Sequence, residues 1–173
     1  MNYRELISRP LTLRYADNLA LEIFANPSDF DIIYKLIFDH EVKVAWRAAW
    51  ACQKISEKHP EWFTDEQFKE LITLAMSTSQ SGLLRGCLSI LNNLTLPNPI
   101  PVDFLNACFE WMISPKSAIA VQALSMKILY TICQKEPDLK PELIAYLENI
   151  DFECYSAGFN STRKNVLNSL KNK

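Results

Sequence analysis

Glycine is scarce in this chain, limited to Gly82, Gly86 and Gly158 in 173 residues. Tight hairpins draw on glycine for positive φ, and no segment alternates apolar and polar residues between turn signals, so a sheet is not expected. Histidine is limited to His40 and His59, and neither has a partner at metal-ligand spacing. A phosphate-cradling glycine loop and a G-x-S-x-G elbow are both missing. No apolar run approaches the roughly 18 residues that a bilayer span needs. The opening Met1-Asn2-Tyr3-Arg4-Glu5 is polar and charged with no apolar run behind it, which is not the pattern of a signal peptide. These absences predict a soluble cytoplasmic protein with no catalytic set, metal, cofactor, membrane segment or small-molecule substrate.

Charge of one sign is not in excess either. A formal net charge of -2 predicts ordinary solubility and no global attraction to nucleic acid. Cysteine is present but unorganised: Cys52, Cys87, Cys108, Cys133 and Cys154 are odd in number, and none forms a C-x-x-C. Four of them fall on apolar stripes or crowded inner turns of predicted helices. Free thiols packed as small hydrophobes in a reducing compartment are the expectation. Asp39-His40-Glu41 has the residue types of acid/base chemistry, but neighbours at a helix end point different ways, so a cap or solvated turn is expected.

What the chain does have is a repeat. About half of the residues are apolar, enough for a sizeable core without disulfides or metals. Phe30, Phe68, Phe104 and Leu143 lie thirty-six to thirty-nine residues apart, and each opens an apolar pattern at +3, +4 and +7. The stripes run Phe30, Ile33, Tyr34, Ile37; Phe68, Leu71, Ile72, Ala75; Phe104, Ala107, Cys108, Trp111; and Leu143, Tyr146, Leu147, Ile150. That spacing is one face of a 3.6-residue helix repeated in phase.

A second ladder follows at Ile55, Leu94, Ile132 and Leu170, so the unit is a helix pair. Cys52, Leu91, Leu129 and Leu167 share the rung before it, and Ala51, Ile90, Ile128 and Val166 the next. Ala48, Cys87, Ser125 and Arg163 form an earlier rung, small until its last member. Small residues there let helices approach closely, and their loss in the last pair suits a terminal repeat.

Breakers and N-cap residues at Pro27-Ser28, Thr64-Asp65, Pro101-Val102-Asp103 and Pro137-Asp138 precede the first helices. Leu96-Pro97-Asn98-Pro99-Ile100-Pro101 cannot continue a helix and reads as a stiff link between repeats within one domain. Residues 11–25, with Leu13, Ala16, Leu19, Ala20 and Ile23, form a further second helix behind a short one at Tyr3 to Ser8. The predicted fold is all-α, an α-solenoid of about four to five antiparallel helix pairs in one domain, 1–173. An N-terminal pair (1–26) precedes pairs at about 28–58, 65–95, 101–135 and 139–172.

The second-helix segment Val44-Ala45-Trp46-Arg47-Ala48-Ala49-Trp50-Ala51-Cys52-Gln53-Lys54-Ile55 resembles the Val-Arg-x-Ala-Ala-x-x-Ala-Leu-x-x-Ile pattern of HEAT-like and armadillo-type repeats. Leu84-Arg85-Gly86-Cys87-Leu88 is a second, weaker match, and the third pair has Gln122 where the pattern has arginine. The resemblance implies Asp39 as the inter-helix aspartate of the first pair, with Ser77 and Ser114 near that point later. It also implies a right-handed superhelix whose second helices line a concave face, used for protein binding or scaffolding. Fold alone does not fix function.

On such a face, rungs off the apolar stripe point outward: Trp50, Ser89, Lys127 and Asn165, beside Gln53, Asn92, Tyr130 and Asn168. Trp46 and Trp50 are four apart and share one side of their helix. Tryptophan, tyrosine and arginine dominate binding hot spots, so Trp46, Arg47, Trp50, Arg85, Asn92, Asn93, Lys127 and Tyr130 are the candidate partner-binding residues. Two alternatives stay open for the tryptophans, a recognition surface or packing against the N-terminal pair, with at least one of them in the core.

Charge divides between the ladders, second helices being basic and first helices acidic. Lys54, Lys58, Lys135 and Lys171 near second-helix C-termini follow the helix dipole. Lys43, Arg47, Arg85, Lys127, Arg163 and Lys164 do not, and suit a positive groove for an acidic protein segment or a phosphate backbone. The expected function is a non-enzymatic protein-protein interaction or scaffolding module that binds a protein or acidic peptide along the second-helix face. The alternative is a HEAT-like DNA-binding protein of the alkylation-repair glycosylase type. Trp46, Trp50, Arg47 and Arg85 suit it, but no aspartate shares the inner rungs and few cations are available for phosphates, so a nucleic-acid partner is not the expectation. The Gly-Ser-Ser loop of the larger helical lyases is absent.

Overall fold

The two ladders become alternating helices: α1 (Tyr3–Ser8), α2 (Tyr15–Ala25), α3 (Phe30–Lys35), α4 (Val42–Ser56) and α5 (Asp65–Ser77). They continue as α6 (Ser81–Asn93), α7 (Val102–Ile113), α8 (Ile119–Lys135), α9 (Lys140–Asn149) and α10 (Ala157–Lys171). The computed structural model describes residues 2–10 and 14–172, among which there is no strand; Leu13 lies outside the described residues. No described helix is long and apolar enough to cross a membrane.

Short polar side chains set where several helices begin. The Gln67 N–H donates to Thr64 Oγ1 at 3.2 Å and the Thr64 N–H donates to Gln67 Oε1 at 3.0 Å, a reciprocal cap on α5. Asn2 caps α1 and Ser156 caps α10 through single bonds to backbone N–H groups. The sequence predicts one continuous helix from Phe30 to Ile37, but α3 ends at Lys35 and the last turn tightens into a 3-10 turn, Leu36–Phe38. A second 3-10 turn, Pro27–Asp29, precedes α3 and leaves it only six residues, too few for a regular helix to hold its own ends.

The chain divides into two compact units, Met1–Thr95 and Leu96–Lys173, at the start of the proline-rich segment. In the first unit α4 is central, with α1, α2, α3 and α6 packed on it and α5 packed on α6. Phe30, Ile33, Tyr34, Ile37, Phe68, Leu71, Ile72 and Ala75 are all buried, as are Ala51, Cys52, Ile55, Ile90, Leu91 and Leu94. The stripe and ladder positions of this unit therefore form its core.

In the second unit α8 is central, packed against α7, α9 and α10. Phe104, Cys108, Leu143, Leu147, Ile128, Leu129, Ile132, Val166 and Leu170 are buried, but the stripe is less complete than expected. Ala107, Trp111, Ile150 and Leu167 are half-buried, and Tyr146 is exposed, its ring lying against Phe109 at 5.0 Å between centroids. A tyrosine keeps its polar tip in water while part of the ring packs, which suits the border of a stripe rather than its centre. Cys52, Cys87, Cys108 and Cys133 are buried free thiols and Cys154 is exposed. Burial pushes the first four thiols up from their ordinary range.

Candidate interaction face

The outward side of the first unit follows from which positions of α4 and α6 are not needed in the core. Along α4, Val44, Ala45, Ala48, Ala49, Ala51 and Cys52 face inward, leaving Trp46, Trp50 and Gln53 half-exposed at i, i+4 and i+7. Along α6 the corresponding strip is Arg85, Ser89 and Asn92, with Arg85 exposed and the other two half-exposed. The Trp46 and Trp50 rings stack at 6.1 Å with 21° between planes, and Trp50 also meets Tyr15 of α2 at 6.4 Å. The expectation that at least one tryptophan enters the core is corrected, because alanines and Cys52 already fill the inward face. Trp50 touches Tyr15 of α2 and remains partly open at the same time.

Arg47 lies beneath the surface and not on it. It is 5% exposed, and its Nη1 donates to the carbonyls of Ile7 at 2.8 Å and Arg9 at 2.7 Å. Its guanidinium lies 5.6 Å from the Trp46 ring centroid and 5.9 Å from that of Tyr15. The last carbonyls of a helix lack intrahelical donors, so this side chain closes the end of α1. Lys43 does the same for Ser8 at 3.2 Å.

The device recurs in the second unit. Gln122 of α8 is buried and donates to the Ser114 carbonyl at 2.9 Å, Tyr155 donates to the Ile113 carbonyl at 2.6 Å, and Arg163 of α10 donates to the Leu147 carbonyl. Part of the basic bias of the second helices is therefore explained by carbonyls that need donors. Of the six cations assigned to a positive groove, Lys43, Arg47 and Arg163 serve helix ends; Arg85, Lys127 and Lys164 are exposed and make no ion pair among the described residues.

The amides differ from each other. Asn93 donates to Ser56 Oγ at 2.9 Å, tying α6 to α4, whereas Asn92 is half-exposed with no side-chain bond among the described residues. Lys127 and Tyr130 belong to the second unit, where they lie three residues apart on α8, the lysine exposed and the tyrosine half-buried. Trp46 and Trp50 thus lie outward on α4, and Arg85 and Asn92 outward on α6, the helix packed against it; Arg47 is buried, Asn93 is bonded to Ser56, and Lys127 and Tyr130 lie on α8 of the second unit.

Asp39 is a latch in a turn. It accepts from Arg4 at 2.7 Å and from the Glu41 N–H at 2.8 Å, and these bonds hold its carboxyl below the usual range. His40 beside it is exposed. Sequence reasoning missed Tyr15, which is buried against Arg47 and Trp50 and whose hydroxyl burial pushes up to about 12. Its spacing of four from Leu19 on the N-terminal stripe was the available signal.

A family model described as a HEAT repeat domain matches residues 3–170 of the chain. No curated protein and no solved structure matches it.

Proposed function

The chain belongs to the HEAT repeat family, and from that premise we propose that it is a non-enzymatic interaction module holding a protein or peptide segment on the α4–α6 strip. The observation that carries the proposal is the stacked, half-exposed Trp46–Trp50 pair on α4, with the exposed Arg85 and the half-exposed Asn92 on the packed helix α6. Tryptophan and arginine supply most of the energy at protein interfaces when they meet a partner in a desolvated patch. Gln53, Ser89 and Asn92 add groups able to hydrogen-bond a peptide backbone. A cytoplasmic setting suits the buried free thiols.

The test is a quantitative pull-down with the full chain and a Trp50→Ala/Arg85→Glu variant of unchanged melting temperature. Loss of the bound partners in the variant is expected, and an unchanged partner set overturns the placement. The DNA-repair alternative gains little from Lys43 and Arg163, which donate to backbone carbonyls, or from Arg47, which is 5% exposed and gives Nη1 to two of them. Fluorescence anisotropy against plain and alkylated duplex at low salt decides it, since a positive groove would bind at micromolar protein.

A further inference from the structure

Arg47 presents a buried charge that only one end of the side chain satisfies. A guanidinium has five N–H donors. The two on Nη1 account for the bonds to Ile7 and Arg9, while Nε is buried with no partner; the hydroxyl of Tyr15, whose ring centroid lies 5.9 Å from the guanidinium, is likewise buried without one. No acidic side chain forms an ion pair with Arg47 among the described residues. Carbonyl dipoles offset a buried cation only in part, and a charge left without a counterion weakens the fold.

We propose that the Nε/Nη2 edge of Arg47, together with the Tyr15 hydroxyl, receives a carboxylate of the bound partner next to the Trp46–Trp50 pair. The occupant rests on the interaction face described above: a peptide segment that brings an acidic side chain or a free C-terminus to this point. The side-on edge of a guanidinium matches the two oxygens of a carboxylate with parallel bonds, a geometry a lysine cannot offer. Tyr15 sits 8% exposed with its hydroxyl protonated and unpartnered, so it is a second donor available to the same anion. Nε is closed to solvent, so entry needs a side chain to move, and Trp46 is the half-exposed ring against the guanidinium. A dianionic phosphate is disfavoured because the neighbouring cations are engaged, Lys43 with Ser8 and Arg4 with Asp39.

The experiment follows the Arg47 Nε–H and the Trp46 and Trp50 indole resonances of the isotope-labelled full chain. Sodium acetate is titrated against sodium chloride of equal ionic strength. A saturable shift with a millimolar dissociation constant is expected for acetate alone, moving the indole signals as Trp46 swings. Tyr15→Phe keeps the ring and loses one hydrogen bond, so binding should weaken about five-fold. Arg47→Lys should abolish the response; Tyr15→Phe carries the test if the lysine variant does not fold.

N-acetylglutamate α-amide and N-acetylalanine then distinguish a side-chain carboxylate from a terminal one, with N-acetylglutamine α-amide as the neutral control. An Nε signal that stays still at tens of millimolar acetate, that moves equally in chloride, or that responds equally to the glutamine compound overturns the carboxylate site. That failure leaves the interaction face standing, because the pull-down depends on Trp50 and Arg85. Failure of the pull-down leaves an acetate shift in place and removes only the peptide as occupant.

Discussion

Gly86 of α6 lies so close to Ala49 of α4 that a Cβ on the glycine would sit 2.7 Å from the Ala49 Cβ. A methyl on Ala49 has no rotamer through which to withdraw, so one helix has to shift. Gly86→Ala gains up to about 1 kcal/mol of helix propensity and loses about 1–3 kcal/mol to overpacking. The expected net is a loss of about 1 kcal/mol, a fall of about 2–4 °C in Tm. Gly82→Ala on the same helix meets nothing within 4 Å and should stabilise instead. Thermal melts of the two variants test this, and equal stabilisation by both would mean that α4 and α6 are not this close.

Arg47→Met keeps most of the buried stem and removes the donors to Ile7 and Arg9. Hydrogen bonds to a charged group contribute about 1.5–3 kcal/mol each, but the substitution also removes a buried charge without a counterion, so a net loss of about 2–3 kcal/mol is expected, less than the sum of the two bonds. The effect should concentrate in α1, whose amides should exchange faster while those of α5 change little. Lys43→Met, at the exposed bond to Ser8, should cost less than about 1 kcal/mol. Amide exchange with residue resolution separates these outcomes from uniform loosening.

The Arg4–Asp39 latch gives a pH dependence whose sign is fixed. The bond from Arg4, then that from the Glu41 N–H, holds Asp39 below its unfolded value, near 3.9 for a model aspartate. A depressed carboxyl contributes stability that is present above the unfolded value and lost as pH falls through the folded one. Docking of α1 should therefore weaken below about pH 4 and be insensitive to pH above it. Asp39→Asn should remove that acid dependence in urea titrations, and an unchanged acid limb in the variant would assign it to other carboxylates.

The repeat and its phase were legible because hydrophobic periodicity is a local signal, and the buried Phe30, Phe68, Phe104 and Leu143 confirm each anchor. The outward placement of Trp46, Trp50, Arg85 and Asn92 was legible for the same reason, as what remains once the apolar rungs are subtracted. Arg47 was not. Its direction depends on the carbonyls of Ile7 and Arg9, forty residues away in part, and no period in the chain encodes where α1 ends against α4. Lys43 and Arg163 were misassigned to a groove by the same omission: composition counts charges, while backbone acceptors carry no letter in the sequence. The partial exposure of Tyr146 was hidden too, since an apolar position at +3 looks alike in the middle of a core and at its border.

If closing helix ends is the task of these second-helix side chains, the neutral example should show it without charge effects. Gln122 of α8 is buried and its Nε2 donates to the Ser114 carbonyl at 2.9 Å. Gln122→Met preserves length and approximate volume and removes the donor, leaving that acceptor at the end of α7 with one partner fewer. A loss of about 1 kcal/mol is expected, because Ser114 is only half-buried and water can replace part of the bond. Ser114→Ala is the discriminating companion, since the bond uses the backbone carbonyl and survives removal of the hydroxyl. The hydroxyl itself only accepts from the Lys116 N–H at 3.3 Å in an exposed turn, worth a few tenths of a kcal/mol at most. Urea midpoints lowered by Gln122→Met and nearly unmoved by Ser114→Ala identify the side chain as a cap on α7; the reverse order would make the turn, and not the α8 glutamine, the element that ends the helix.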